Sequence, residues 1–353
     1  MKLKMISFTK KGMELSQRIY KSMPEAEISL FTKCSFYENQ EVYVEEPLGE
    51  WTQKQFETKG NLLFIGACGI AVRAIAPSVK SKLCDSGVLV MDELGNYVIP
   101  ILSGHVGGAN ELAEQIAEKT GALAVITTAT DLNKTFAVDL FAKKNHLTIW
   151  NKEGIAKVSA KVLAGELVTC AVAPEYLDEQ HRNVPKEMKL MEFPPRGKVD
   201  VLIGSAPGNS PWEEASLYLV PQEYVIGVGC KKGKEWGAME QFLKTQLRDA
   251  GVSIAQIEKI GSIDLKAEEP YLLQWSQKWN IPFETYSGEM LKQVEGTFTS
   301  SAFVEAKTGV DNVCERAALL GCGTEGVLVY PKHAEDGMTI AIAKKKRSVF
   351  GEE

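Results

Sequence analysis

The sequence lacks the features of membrane, disulfide-rich and zinc-binding proteins. No apolar run in its 353 residues approaches the roughly 20 residues needed to span a bilayer, and Met1 leads into a strand-like run rather than a secretion signal. Its 7 cysteines are an odd number without a Cys-x-x-Cys pair, so neither a disulfide framework nor a zinc knuckle is indicated. We therefore expect a soluble cytoplasmic protein with no metal site of its own.

The sequence also lacks an excess of positive charge. It has 40 Lys and Arg against 46 Asp and Glu, a formal net charge of -6, so no overall field would attract DNA or RNA. Backbone N–H groups at helix starts and a few local cations can still bind a small anion. Nucleic acid is therefore not an expected partner, and any anion site must be local.

Strand-like and helix-like patterns alternate along a chain that is too long for one hydrophobic core, so we expect two or more domains. This alternation predicts an α/β fold with open, mostly parallel sheets and flanking helices. The predicted parts are an N-terminal α/β domain (1–145), a small middle domain or linker module (146–222), a C-terminal α/β domain (223–346) and a tail (347–353). The basic run 344–347 is interpreted as a solvated end rather than a binding arm.

One segment has the composition of a ligand site. Residues 100–111 run from a strand through a glycine-rich turn into a helix, where Gly104, Gly107 and Gly108 allow the backbone to approach a ligand and the first helical N–H groups present donors. His105 lies in this turn, and an imidazole exchanges protons near neutral pH. His105 is our candidate base; the alternative is that it only caps the turn.

Neighbouring polar residues have two interpretations each. Glu111 is a candidate support for His105, although a glutamate there also complements the helix dipole. Asn110 either caps the helix or contacts substrate. Ser103 is a candidate catalytic residue or a turn residue, and no Gly-x-Ser-x-Gly elbow supports a serine triad.

Further candidate binding residues follow other strands. Arg73 lies in a second glycine-containing turn and is either a carboxylate ligand or a surface residue. Near the C-terminal domain's start, the loop 227–234 fits neither G-x-G-x-x-G nor the P-loop, which leaves a basic loop suited to carboxylates. The remaining candidates are hydroxyl and acidic residues after the strand at 122–126 and lysines of the basic loop: Thr127, Thr128, Asp131, Lys231 and Lys232.

Residues 66–77, 102–111 and 127–131 together resemble the cobalt-precorrin-5A hydrolase family of anaerobic cobalamin biosynthesis, and segments 227–230, 263–270 and 317–319 resemble the family's C-terminal domain. The resemblance implies a cobalt-bearing tetrapyrrole substrate whose ring-A acetate is closed as a lactone. Water opens the lactone, and loss of acetaldehyde gives cobalt-precorrin-5B. The substrate carries the cobalt, so no separate cofactor is implied.

This chemistry requires a base for water and donors for the developing oxyanion. His105 would be the base, and N–H groups around Gly107 and Gly108 the donors. Arg73 and the two lysines would bind peripheral carboxylates, with the macrocycle expected in a cleft between the N- and C-terminal domains. Whether the chain forms a homodimer or contacts neighbouring pathway enzymes stays open. The competing interpretations are a noncatalytic tetrapyrrole-binding or handover protein and, without a matching phosphate motif, a phosphosugar or nucleotide-dependent enzyme.

Overall fold

The computed structural model describes residues 2–351 except 59, 82–84, 106, 129–131, 133–134, 179–182, 206–214 and 232. The chain divides into two compact units, Met1–Leu140 and Phe141–Glu353. Three sheets with flanking helices confirm the predicted α/β class. Within the described part of the chain, no helix has both the length and the apolar character needed to cross a membrane.

The first unit contains a six-stranded sheet in the order β2-β1-β3-β4-β5-β6. Neighbouring strands are parallel except β4 and β5, which are antiparallel. The strands are β1 (Lys2–Ser7), β2 (Glu27–Thr32), β3 (Asn61–Ile65), β4 (Val88–Met91), β5 (Tyr97–Leu102) and β6 (Leu123–Ala124). The helices are α1 (Lys10–Ser22), α2 (Leu48–Glu57), α3 (Cys68–Ile75), α4 (Ala109–Thr120) and α5 (Val138–Lys144), whose later residues belong to the second unit.

Helices cover both faces of this sheet because its strands are apolar on both sides. On one face, Leu15 of α1 and Ile116 of α4 pack with Leu63. On the other face, Trp51 of α2 and Ile75 of α3 join the opposite core cluster. Burial of such side chains contributes about 1.5–3 kcal/mol each, so the two clusters fix the sheet between its helices.

The antiparallel pairing of β4 and β5 decides where the glycine-rich loop lies. Leu102, the last residue of β5, is paired with Val88, the first residue of β4. The loop after β5 therefore lies at the amino end of β4, opposite the edge where β1, β3 and β4 end. Strand β6 runs parallel to β5, so the segment after β6 returns to the same edge as the loop.

The second unit contains two five-stranded sheets, ordered β7-β11-β10-β8-β9 and β14-β13-β12-β16-β15. The first has β7 (Leu147–Ile149), β8 (Val168–Val172), β9 (Met188–Met191), β10 (Val199–Ile203) and β11 (Ala215–Pro221), with helix α6 (Glu153–Leu163). The second has β12 (Tyr224–Cys230), β13 (Ile257–Ile263), β14 (Phe283–Tyr286), β15 (Val327–Glu335) and β16 (Met338–Lys344). Its helices are α7 (Trp236–Asp249), α8 (Pro270–Trp279), α9 (Gly288–Lys292), α10 (Ala302–Thr308) and α11 (Cys314–Cys322). The predicted division into middle and C-terminal domains stays a prediction.

The C-terminal basic run is not a solvated end, and that prediction is wrong. Lys345 and Arg347 form ion pairs with Glu258 of β13, and both cations are only 17% exposed. The next apolar residues, Val349 and Phe350, are each 2% exposed. A nearly buried carboxylate requires a paired cation. The run of basic residues in the sequence does not reveal that its partner is Glu258.

Candidate active site

The loop between β5 and α4 is held tight by two glycines. A Cβ added to Gly104 would lie 2.5 Å from Asn110 Oδ1, and one added to Gly107 would lie 2.6 Å from the Ser103 carbonyl oxygen. Ser103 has φ 52° and Gly108, which precedes the first residue of α4, has φ 79°. The loop therefore folds back against the start of its own helix and has no room for side chains at the two packed positions.

This tight packing uses three of the N–H groups that we expected to be open to a ligand. The Gly108 N–H donates to the His105 carbonyl at 2.9 Å, and the Asn110 N–H donates to Gly104 at 3.0 Å. Ala109 donates to the Ser103 carbonyl at 3.4 Å. The prediction that the Gly108 N–H is an open oxyanion donor is wrong, because carbonyl groups of the preceding turn accept the hydrogen bonds at the helix start.

His105 lies beside a carboxylate that sequence reasoning missed. Its Nδ1 is 3.8 Å from Oδ1 of Asp139, in the first turn of α5, and the two side chains are 12% and 10% exposed. Asp139 Oδ1 also accepts the Leu140 N–H at 3.0 Å. The only sequence signal was an acidic residue at a helix start, which by itself indicates dipole complementation.

Three other predicted residues lie nearby: Ser103 in the same loop, Asn110 in the first turn of α4 and Thr128 in the segment after β6. The Ser103 Oγ is buried and has no hydrogen-bond partner among the described residues. Asn110, 9% exposed, donates from Nδ2 to Oγ1 of Thr128 at 3.0 Å, while Thr127 is exposed. The structure thus brings an imidazole, a hydroxyl and an amide to one edge of the sheet.

Comparisons with known proteins agree across nearly the whole chain. The family models for the cobalamin synthesis G N-terminal and C-terminus regions match residues 50–131 and 224–343. A cobalt-precorrin-5A hydrolase of Salmonella typhimurium is 32% identical over 338 residues, covering 94% of each chain. The chain belongs to the cobalamin synthesis G family. A cobalt-precorrin-5A hydrolase of Priestia megaterium is 30% identical and covers 96% of this chain and 93% of its own. A solved cobalamin biosynthesis protein G homolog from Sulfolobus solfataricus is 21% identical, with 97% and 96% coverage and a TM-score of 0.41.

Other residues predicted for the site of this family member lie elsewhere in the first unit. Arg73 lies in α3, a helix that begins at the opposite edge of the sheet from the His105 loop, and its Nη1 donates to the Gly69 carbonyl at 3.2 Å. Glu111 is exposed and accepts a hydrogen bond from Gln115 Nε2 at 3.3 Å. The carboxylate beside the imidazole is therefore that of Asp139 rather than that of Glu111.

In the second unit, Lys231 is exposed directly after β12. Its N–H donates to the Gly337 carbonyl at 2.9 Å, and its alkyl chain covers Gly337, where a Cβ would lie 2.7 Å from the lysine Cδ. The backbone and alkyl chain of Lys231 are thus fixed against Gly337, and the side chain as a whole stays exposed. Asp131 and Lys232 lie outside the described residues. The described ranges place no group of three or more His, Cys, Asp or Glu side chains where they could bind a metal ion.

Proposed function

We propose that the chain is a hydrolase that opens the ring-A lactone of cobalt-precorrin-5A and releases acetaldehyde to give cobalt-precorrin-5B. Membership of the cobalamin synthesis G family and the names of its relatives support this choice of substrate. The observation that carries the proposal is the His105 imidazole, only 12% exposed, in the loop that also holds the Ser103 hydroxyl, which finds no hydrogen-bond partner in the described part of the chain. A base and a hydroxyl donor in one place are what water addition to an ester requires.

In this mechanism His105 accepts a proton from a water molecule as its oxygen bonds to the lactone carbonyl carbon. The Ser103 hydroxyl would donate a hydrogen bond to the oxyanion that forms, in place of the Gly108 N–H that the loop already uses. Its Oγ is buried in the unliganded chain, so this role requires the side chain to turn toward the substrate. The tetrahedral intermediate collapses by breaking the ester C–O bond, and the imidazolium returns its proton to the leaving alkoxide. The product has a free ring-A carboxylate and a hydroxyl on the meso carbon.

Acetaldehyde release follows from this hydroxyl. It loses its proton and becomes the aldehyde carbonyl as the meso carbon separates from the macrocycle. The conjugated ring takes the electron pair of the broken C–C bond and gains a proton, so atoms and charge balance. No further oxidant or reductant is needed. Peripheral carboxylates of the substrate would be bound by Lys231 and Lys232 and by the hydroxyls of Thr127 and Thr128. Arg73, whose helix begins at the other edge of the sheet, has no part in this assignment.

Anaerobic incubation with cobalt-precorrin-5A tests the proposal when both tetrapyrrole mass and acetaldehyde are measured. We expect the wild type to form both products and His105→Ala to lose about 10²–10⁴-fold in turnover. His333→Ala is the matched control, because that imidazole is exposed and its Nδ1 lies 2.8 Å from the Pro331 carbonyl oxygen. Undiminished turnover by His105→Ala would refute the base, and substrate binding without acetaldehyde would favour a noncatalytic carrier.

A further inference from the structure

The carboxylate of Asp139 approaches His105 from outside the glycine-rich loop. It is carried by α5, and its Oδ1 lies 3.8 Å from the imidazole Nδ1. Both side chains are about nine-tenths shielded from solvent, at 10% and 12% exposed. Charges interact more strongly where solvent screening is weak, so a carboxylate at this distance has a large influence on which nitrogen carries the imidazole proton.

We infer that Asp139 is a positioning residue for His105, holding the neutral imidazole with its proton on Nδ1 and leaving Nε2 to accept a proton from water. Which ring nitrogen is protonated depends on the partner of the other nitrogen. The inference rests on the proposed function, because it assigns Asp139 a role in activating the same base. The separation exceeds a direct hydrogen bond, and such contacts commonly shorten when substrate binds.

Asp85 and Glu111, two other acids of the first unit, accept hydrogen bonds from other groups. The Asp85 carboxylate accepts the backbone N–H of Lys80 at 3.0 Å and of Ser81 at 2.8 Å. Glu111 is exposed and accepts from Gln115. A purely structural role for Asp139 would be the N-terminal hydrogen bond to Leu140, so the test must separate support of α5 from an effect on the imidazole.

Nuclear magnetic resonance of the full chain labelled with ¹⁵N- and ¹³C-histidine provides that separation without substrate. The chain has 4 histidines, and the His105 signals are assigned by their loss in His105→Gln. We expect wild-type nitrogen shifts characteristic of a proton on Nδ1. Asp139→Asn should lower the pKa of His105 by about one unit, because an opposite charge this close favours the imidazolium.

Two variants serve as controls in the same titration. Asp139→Glu keeps the charge and should leave the pKa of His105 near its wild-type value. Glu114→Gln removes the same charge from an exposed position on α4 and should cause no shift. A proton on Nε2 in the wild type, or an unchanged pKa in Asp139→Asn, overturns the inference. If Asp139→Asn does not fold, the inference is tested by the wild type alone, through which ring nitrogen of His105 carries the proton.

Kinetics then show whether the pairing contributes to the reaction. Because loss of the carboxylate lowers the pKa of the base, the acid limb of kcat/KM should move to lower pH in Asp139→Asn. Its plateau should fall about tenfold or more, but by less than the roughly 10²–10⁴-fold loss expected without the base, and Asp139→Glu should recover part of it. A structural role alone would lower stability without moving the limb. If the resonance data show the Asp139–His105 pairing but the wild type forms no product, the proposed function is contradicted and the inferred pairing still stands.

Discussion

Single glycines in the loop set the position of the candidate base. At Gly107 an added Cβ would lie 2.5 Å from the Ser103 Cβ and 2.9 Å from the Gly87 backbone nitrogen. We expect Gly107→Ala to displace the turn that carries His105 and to lower kcat/KM by about 10²-fold, the scale of a 1 Å misplacement. Backbone neighbours cannot rotate away, so overpacking should also cost about 1–3 kcal/mol of stability. Steady-state kinetics and thermal unfolding measure the two effects.

Gly49→Ala is the control for Gly107→Ala. Gly49 lies in the first turn of α2, and nothing is within 4 Å of a Cβ added there. The new methyl group should leave activity unchanged and raise stability by about 0.4–1 kcal/mol through reduced freedom of the unfolded chain. Wild-type kinetics in Gly107→Ala would show that the loop tolerates the displacement.

Residue chemistry alone proposed most members of the candidate site. The glycine frame pointed to His105 and Ser103, and Thr128 was a candidate because it follows the strand at 122–126; the structure adds that Asn110 donates to its hydroxyl. It did not identify Asp139, because proximity of that carboxylate depends on the path of the chain after β6. It also misjudged the Gly108 N–H, since whether carbonyl groups fold over a helix start depends on loop dihedral angles rather than composition.

At the scale of elements, the antiparallel direction of β5 separates the His105 loop from the turn after β3. Alternating strand and helix patterns predicted a mostly parallel sheet without saying which pair is antiparallel. That pair is β4 and β5, which are joined by the short loop 92–96, whereas parallel neighbours require a longer crossover. Asp92 accepts the N–H groups of Asn96 and Tyr97, and Gly95 has φ 77°, which are features of a hairpin turn. That reversal puts the loop of His105 and the start of α3, the helix that carries Arg73, at opposite edges. Length and turn residues of the loop were the signal available in the sequence.

The C-terminal segment is an element whose role can be measured through Glu258. Burial raises the pKa of this carboxyl, but its ion pairs with Lys345 and Arg347 outweigh burial and hold it below the usual value. Glu258→Gln leaves two shielded cations without an anion and should cost about 3 kcal/mol at neutral pH.

The pH dependence of that cost has a definite sign. A depressed carboxyl pKa stabilises the folded state above the unfolded value of about 4.3 and loses this contribution as pH falls through the folded pKa. Thermal unfolding midpoints of wild type and Glu258→Gln should therefore differ most at neutral pH and converge below about pH 4. Glu192→Gln, which breaks an exposed pair with Arg196, should change the midpoint little at any pH. A difference that persists in acid would mean that packing, not charge, links Glu258 to the segment.

For the whole molecule, net charge and the proposed substrate have the same sign. The chain carries a formal charge of -6. A polycarboxylate macrocycle is therefore repelled while it is still too far away to contact a single lysine. Salt screens this repulsion, since the Debye length is about 8 Å at 0.15 M. The kcat/KM for cobalt-precorrin-5A should therefore stay constant or rise as ionic strength increases from about 10 mM to about 0.15 M.

Lys231 provides the internal comparison for this salt dependence. Its exposed side chain is a proposed carboxylate ligand, so Lys231→Ala should lower kcat/KM by raising KM while leaving kcat unchanged. Because that variant is more negative, its kcat/KM should rise more steeply with salt than the wild type's. Initial rates across a salt series at fixed pH measure both slopes. A steep fall with salt in the wild type would mean that a concentrated cationic surface, rather than the net charge, controls how the substrate approaches.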